Sequence, residues 1–273
     1  QRGDLWIGTD GGGLDRLGRT GRFTHYRHDP NNPATIGSDS IFAILEDPQG
    51  RLWVGGWDAG LSRLDPVSGR ASCYRHDERD SSSIVSDHVW SLTALHTGEL
   101  LVSTQGGVDI FDPNTGRFSR LSERFPGAGR AVASLAVEDR QGDLWIANTD
   151  SAEHVERRTR KVTVFAHDPK DPTSLPRGNT HIVHIDSLGN TWIGTQGGLW
   201  SIARGGARRR RYTTADGLPH DNVGGILEDG SGNLWLSTSR GLVCMLDGVH
   251  PSDKPKLLLC DLHAGLQRQE FTE

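Results

Sequence analysis

The sequence lacks the features that mark a membrane-spanning, disulfide-rich or nucleic-acid-binding protein. It contains no run of about 18 apolar residues, so no segment is predicted to cross a membrane. Its formal charge of −5 gives no general reason to expect a nucleic-acid partner. The cysteines, Cys73, Cys244 and Cys260, form no CxxC pair and are interpreted as small buried residues. A bridge between Cys244 and Cys260 on neighbouring strands remains open.

Helical periodicity is also lacking, whereas glycine is abundant. No window repeats apolar residues convincingly at helical spacing, so almost no helix is predicted. Glycine supplies 35 of the 273 residues, which predicts numerous turns. An all-β protein is the fold class that fits both observations.

One short phrase, of the form Gly-x-Leu-Trp-Ile-Gly, occurs six times. The copies begin at Gly3, Gly50, Gly98, Gly142, Gly189 and Gly232. Their Trp positions are 6, 53, 101, 145, 192 and 235, with Leu101 replacing Trp in the third copy, and the intervals run from 43 to 48 residues. A period in the forties with short strand-like runs predicts a β-propeller with one four-stranded blade per repeat.

The second repeat illustrates the predicted blade. "SIFAILED" is the inner strand, the Asp47–Gly50 turn follows, and "RLWVGG", "GLSRLD" and "RASCYRH" are the next three strands. The Trp of the second strand is predicted to fill the wedge between blades, because a blade cannot bury its faces alone.

The blade limits follow from the repeat. We expect a single propeller fragment with blades at roughly 1–37, 38–86, 87–130, 131–178, 179–219 and 220–262, and the start of a further blade at 263–273. The chain begins at a second strand, so the first blade should lack its inner strand. Either the last segment closes a six-bladed ring against the first blade, or the chain is cut from a larger ring. A seven-bladed ring would need about 322 residues at this period, and we interpret the chain as a fragment of such a ring.

The wording of the repeats resembles the two-component regulator propeller repeat. "LWIGTDGGGLDRL", "LWVGGWDAGLSRLDPVSGRASCYRHD", "TWIGTQGGLWSI", the "HDP" connectors at His28 and His167, and "DGLPHDNV" carry the resemblance, which is weakest in the third and fourth blades. "GLQRQEF", which begins at Gly265, resembles the last blade before an immunoglobulin-like domain.

This resemblance implies the extracytoplasmic, periplasmic sensor of a bacterial receptor with a cytoplasmic histidine kinase or diguanylate cyclase. It further implies a neighbouring propeller and an immunoglobulin-like domain as partners, a receptor homodimer, and a small-molecule or oligosaccharide ligand.

Candidate ligand-binding residues lie where loops gather at the mouth of a propeller. The loops between second and third strands carry Asp10, Trp57, Asp58, Gln105, Asp150, Gln196 and Arg240. The connectors into the inner strands carry Asp39, Asp87, His88, Arg130, His181, His220 and Asn222. Trp57 lies outside the repeat pattern and is the best candidate for stacking on a sugar ring, the alternative being packing on a neighbouring blade. Trp90 and Trp200 lie in strands and are predicted to belong to the core.

No catalytic residue, metal site or cofactor is predicted. His181 and His184 are three apart on a predicted strand and should point to opposite faces. A lyase or hydrolase of the streptogramin-lyase type, with His88, His181 or His220 as base, and a protein-binding scaffold propeller are the alternative functions. The run Arg208–Arg211 is interpreted as a solvated outer strand.

Overall fold

Short antiparallel strands make up nearly all of the regular secondary structure in the computed structural model, which describes residues 3–206 and 208–260. The helical elements of these residues are α1 (Leu121–Arg124) and a single 3-10 turn (Thr214–Asp216), so the prediction of almost no helix is confirmed. The chain divides into two compact units, residues 1–136 and 137–273.

The first unit contains three sheets in which each strand pairs with the next along the chain. The first sheet has three strands, β1 (Leu5–Thr9), β2 (Gly13–Leu17) and β3 (Phe23–Tyr26). The second comprises β4 (Ile41–Glu46), β5 (Leu52–Gly56), β6 (Leu61–Leu64) and β7 (Ala71–Tyr74). The third comprises β8 (Val89–Ala94), β9 (Leu100–Thr104), β10 (Gly107–Asp112) and β11 (Arg117–Arg120).

The second unit repeats the same four-stranded meander three times. Its sheets are β12 (Ala133–Glu138), β13 (Leu144–Asn148), β14 (Ser151–Glu156) and β15 (Lys161–Ala166); β16 (Thr180–Ile185), β17 (Thr191–Thr195), β18 (Gly198–Ile202) and β19 (Arg209–Tyr212); and β20 (Val223–Glu228), β21 (Leu234–Thr238), β22 (Gly241–Leu246) and β23 (Lys256–Cys260).

These sheets are propeller blades, and the fold class is confirmed. The first blade has three strands among the described residues, as the repeat predicts. The further blade predicted for 263–273, including "GLQRQEF", lies outside the described residues and stays a prediction.

The repeated Trp packs between blades where a neighbouring blade covers it. Trp53 is fully buried and meets Phe111 of the third blade edge-on, with 5.2 Å between ring centroids. Trp192 is equally buried and shares an apolar cluster with Leu234 of the sixth blade. Trp235 of the sixth blade is 36% exposed. The predicted wedge role is therefore confirmed for Trp53 and Trp192.

In the second, fifth and sixth blades, a hydrogen bond ties the turn to the Trp of the same blade. Oδ2 of Asp47 accepts the indole N–H of Trp53 at 2.8 Å. The same bond joins Asp186 to Trp192 at 2.8 Å, and Asp229 to Trp235 at 3.0 Å. The turn aspartate therefore closes its hairpin and also holds the ring that fills the core.

The arginine run on the fifth blade does more than keep an outer strand solvated. Arg208 and Arg210 each place a guanidinium nitrogen 2.7 Å from Oδ1 of Asp253, which precedes β23. Arg210 also pairs with Asp216 at 2.9 Å. The run therefore helps to join the fifth and sixth blades.

The three cysteines are free thiols in the structure. Cys244 lies opposite Leu258, and Cys260 lies opposite Leu242, so the two cysteines are diagonal neighbours on adjacent strands. Diagonal pairs lie about 7–8 Å apart, beyond the usual reach of a disulfide.

Candidate functional site

The predicted tips between second and third strands are tight hairpins that close themselves. The hydroxyl of the last residue of the second strand donates to the carbonyl of the glycine that starts the third, at 2.8 to 2.9 Å. These threonine clamps join Thr9 to Gly13, Thr104 to Gly107, Thr195 to Gly198 and Thr238 to Gly241. The second and fourth blades have Gly56 and Asn148 at the threonine position.

The hairpin of the second blade is longer and carries the predicted Trp57. Trp57 is 47% exposed, and its ring lies 4.3 Å from that of His88, between centroids. It also meets Trp90 edge-on at 5.7 Å, and Trp90 lies 5.5 Å from Phe42, itself 47% exposed. These four rings, from the second and third blades, form an aromatic patch.

Trp57 packs on the neighbouring blade, as the alternative interpretation predicts, and still presents about half of its surface to solvent, so its stacking on a ligand stays a prediction. The prediction for Trp200 is confirmed, since that ring is fully buried. Trp90 is only partly buried, because its strand begins beside the open hairpin of Trp57. Its indole nitrogen is inaccessible and has no hydrogen-bond partner among the described residues.

The ring of His88 is fixed by the hairpin of the second blade. The backbone N–H of Asp58 donates to Nδ1 of His88 at 3.1 Å, so a neutral ring carries its hydrogen on Nε2. Asp58 has a positive φ of 55°, a conformation stabilised by its carbonyl, which accepts a 2.7 Å bond from Arg75. The backbone N–H of Gln105 donates to the carbonyl of His88 at 3.1 Å.

Asp10 joins the same surface through Ser40. The Ser40 hydroxyl donates to Oδ1 of Asp10 at 2.7 Å, and its carbonyl accepts the backbone N–H of Trp57 at 3.0 Å. The structure thus links Asp10, Trp57, Asp58, His88 and Gln105, five of the predicted residues, in one series of contacts beside the aromatic patch.

A second group of predicted residues meets within the second unit. Nε2 of His181 lies 2.9 Å from Oδ1 of Asn222, whose amide nitrogen donates to Ser239 at 2.9 Å. The backbone N–H of Asn222 donates to Nδ1 of His220, also at 2.9 Å. The prediction that His181 lies in a connector is wrong, because β16 starts at Thr180 and His181 sits at its register shift.

The remaining predicted residues stand apart from these groups. Gln196 is tied to Asn179 by its backbone N–H at 3.0 Å and through Oε1 at 3.3 Å. Asp150, Arg240 and Arg130 are exposed. Asp39 and Asp87 have a structural role, since each accepts the backbone N–H of the histidine that opens its connector at 2.8 Å.

Sequence reasoning missed two features. Phe42 and Trp90 belong to the aromatic patch, although nothing in the repeat singles them out. The fourth blade also brings Asp139, Asp143 and His154 together beside a cavity of about 520 Å³. The sequence signal for this second feature is an Asp at 143, where the second, fifth and sixth blades have Arg51, Asn190 and Asn233.

Comparison with known proteins gives the following likenesses. The family model for the two-component regulator propeller matches residues 35–58 and 217–240, which include Trp57, Asp58, His220, Asn222 and Arg240. No curated protein sequence matches the chain at a significant level.

Several solved structures resemble the chain. The extracellular domain of BT3049 from B. thetaiotaomicron, described as a hybrid two-component system, has a TM-score of 0.80 and 21% identity over 99% of this chain and 35% of that one. The extracellular domain of BT4673 from B. thetaiotaomicron, described as a one-component system, has a TM-score of 0.63 and 17% identity over 94% of this chain and 42% of that one. Virginiamycin B lyase from Staphylococcus aureus has a TM-score of 0.65 and 14% identity over 87% of this chain and 74% of that one.

The chain spans 35% and 42% of the lengths of the two extracellular domains. At these identities the likenesses establish the fold. Among the described residues, no helix is long and apolar enough to cross a membrane.

Proposed function

Because the chain carries two-component regulator propeller repeats, we propose that it is the ligand-sensing, extracytoplasmic part of a bacterial two-component-type receptor. The ligand favours one arrangement of a receptor dimer, and that preference changes the output on the other side of the membrane. The observation that carries the proposal is the aromatic patch, which keeps Trp57 and Phe42 half-exposed where hairpin tips converge.

The chemistry of the patch favours a ligand with a flat apolar face and hydroxyl groups, such as an oligosaccharide. The ring of Trp57 supplies the stacking surface. The carboxylates of Asp10 and Asp58 accept hydrogen bonds from hydroxyls, and Nε2–H of His88 donates one. Both extracellular domains that resemble the chain come from proteins described as signalling systems, which supports the sensory part of the proposal.

The test is a thermal-shift screen of the purified chain against a panel of glycans, followed by calorimetric titration of each hit. Trp57→Ala should weaken binding of a hit at least tenfold. The folded state should lose only about 1–2 kcal/mol, because the substitution removes two aromatic contacts of a half-exposed ring. Phe23→Ala is the matched control, since Phe23 is 49% exposed on β3, and it should bind as the wild type does.

Unchanged affinity in Trp57→Ala would remove the patch from the proposal. Reading the coding DNA past Glu273 tests the receptor assignment separately. An immunoglobulin-like segment, an apolar stretch of about 20 residues and a kinase or cyclase domain would support it. A stop codon after one more blade would contradict it.

A lyase is the second candidate, and the likeness to virginiamycin B lyase over 87% of the chain favours it. Such a reaction would need a general base, for which His88 and the His181–Asn222–His220 group are available. Incubation with a streptogramin B antibiotic, followed by liquid chromatography, tests this activity. Turnover that disappears in His88→Ala or His181→Ala would replace the sensor proposal.

A further inference from the structure

Two carboxylates and an imidazole converge in the fourth blade. Asp139, Asp143 and His154 each offer one ligand atom, and these atoms all lie within 4.8 Å of one another. Nε2 of His154 is 3.9 Å from Oδ2 of Asp143. The strand pairing explains why these side chains lie close together. Trp145 of β13 lies two residues after Asp143, and His154 of β14 lies directly opposite Trp145.

The other blades show what normally surrounds the turn aspartate. Its Oδ2 accepts a hydrogen from the residue four positions on, as Asp186 does from Asn190 at 2.7 Å and Asp229 from Asn233 at 2.9 Å. It also accepts the indole N–H of the repeat Trp, six positions on. In the fifth and sixth blades, this oxygen therefore accepts hydrogen bonds from two donors.

The fourth blade supplies neither donor. The residue four positions after Asp139 is Asp143, a second carboxylate, and the indole of Trp145 makes no hydrogen bond within the described part of the chain. Oδ1 of Asp139 accepts the backbone N–H groups of Gln141 and Asp143, both at 2.9 Å, and a carboxylate oxygen of Asp143 lies within 4.8 Å of a carboxylate oxygen of Asp139. Two adjacent carboxylates repel unless a proton or a cation lies between them.

The first blade shows how a protein cation pairs with an aspartate at the position of Asp143. Asp4 occupies the position of Asp143, and Arg16, opposite Trp6, occupies the position of His154. The Arg16 guanidinium lies 2.6 Å from Oδ2 of Asp4. The fourth blade has an imidazole in place of that guanidinium. An imidazole is a metal ligand, whereas a guanidinium is a fixed positive charge.

The surroundings point to a ligand at this position. The three residues line the cavity of about 520 Å³, together with Trp145 and Phe165. Trp145 is 6% exposed, and its ring stacks on His154 at 4.4 Å and on Phe165 at 5.6 Å. A largely buried indole therefore lines the same cavity and packs against the imidazole, and its N–H has no hydrogen-bond acceptor among the described residues.

We propose that Asp139, Asp143 and His154 bind a divalent transition-metal ion of the zinc class, with a remaining coordination position open to the cavity. One imidazole nitrogen and two carboxylate oxygens form a donor set that suits such ions, whereas calcium and magnesium prefer all-oxygen sites. Ligand atoms around a tetrahedral zinc ion are about 3.4 Å apart, so small side-chain rotations close the site from its present spacing.

Calorimetric titration of zinc into the chelator-treated chain tests the proposal. The wild type should bind one ion per chain with a dissociation constant in the micromolar range or below. Asp143→Asn should weaken binding by about 100-fold or more, because loss of a ligand costs at least as much as loss of an outer partner. The metal-free variant should melt at or above the wild-type temperature, since asparagine restores the donor found in the fifth and sixth blades.

Two further variants separate the site from incidental binding. His154→Arg reproduces the ion pair of the first blade and should also abolish binding while the chain stays folded. His25→Ala removes an exposed histidine that pairs with Asp15 at 2.7 Å and should leave zinc affinity unchanged. The proposal is wrong if the wild type shows no saturable binding, or if Asp143→Asn and His154→Arg bind zinc as the wild type does.

Discussion

The bond between the turn aspartate and the repeat Trp makes Asp47→Asn a sharp test of how a blade is held together. Oδ2 of Asp47 receives the indole N–H of Trp53 and the Nε–H of Arg51, and Asp47 is 1% exposed. Oδ1 is occupied by the backbone N–H groups of Gln49 and Arg51, at 3.0 and 2.9 Å. An asparagine that keeps these backbone bonds therefore places its NH₂ group at the position of Oδ2. That group is a donor, and it faces two further donors, the indole N–H of Trp53 and the Nε–H of Arg51.

The expected loss in the free energy of unfolding follows from the hydrogen bond that each of these two donors loses. The Trp53 ring is fully buried, so its N–H finds no water and bears the full cost of an unpaired buried donor, about 1–3 kcal/mol. The Arg51 side chain is 24% exposed, so water replaces part of its lost bond. We expect Asp47→Asn to lower the free energy of unfolding by about 3 kcal/mol at neutral pH.

The loss should depend on pH in a defined direction. Burial raises the pKa of the Asp47 carboxyl, but the hydrogen bonds from Trp53 and Arg51 outweigh burial and hold that pKa below its usual range. A carboxyl with a lowered pKa stabilises the folded state above its unfolded pKa of about 3.9, and this stability is lost as the pH falls through the folded pKa. The difference between wild type and Asp47→Asn should therefore shrink below about pH 4.

Urea denaturation, monitored by circular dichroism, measures the free energy of unfolding and its dependence on pH. Asp229→Asn is the matched control, because Asp229 makes the same bond to Trp235, whose ring is 36% exposed. Water can reach that indole, so the control should lose less stability. Equal losses at the two sites, or a loss below about 0.5 kcal/mol in Asp47→Asn, would refute the reasoning.

Two other substitutions probe the backbone and a buried ion pair, each measured by urea denaturation. Gly60→Ala should cost about 2–3 kcal/mol, because Gly60 has a φ of +60° and a Cβ would meet the carbonyl oxygen of Tyr74; Gly11→Ala, at φ +81° in open space, should cost only about 1 kcal/mol. A similar loss in both would exclude the steric explanation. Arg120→Ala should cost about 3 kcal/mol, because its guanidinium, 2.8 Å from Oδ1, is the partner of the fully buried Asp109. Burial raises the pKa of Asp109, and a carboxyl with a raised pKa favours the folded state at low pH, so the loss should shrink on acidification. A loss that does not change with pH would contradict this.

The fold could be predicted from sequence because the repeat encodes it locally. Most copies carry their own turn aspartate, second-strand Trp and flanking glycines, so the strand order within a blade follows without long-range information. The burial of Trp53 and Trp192 follows from the same pattern, since a bulky ring at a fixed position in adjacent blades must lie between them.

The sites were harder to predict because they depend on register across strands. The position of His154 opposite Trp145 depends on how the β13–β14 hairpin closes, and the spacing of residues in the chain does not specify this. The contact of Trp57 with His88 and Trp90 depends on the approach of two blades whose residues lie about 30 positions apart. The hydrogen bond that the Trp53 indole donates to Asp47 could have been found, since the interval of six residues between the turn aspartate and the Trp recurs at Asp186 and Trp192 and at Asp229 and Trp235.

The threonine clamps have a consequence for how such a surface evolves. Because Thr104, Thr195 and Thr238 close their hairpins onto the next glycine, the closure uses no side chain from the tip itself. Substitution of exposed tip residues such as Gln105 or Arg240 should therefore change the displayed chemistry while leaving stability within about 0.5 kcal/mol. A lineage can exchange one tip at a time and pass through folded intermediates at every step, so the chemistry that the tips display can diverge between relatives that keep the same blades.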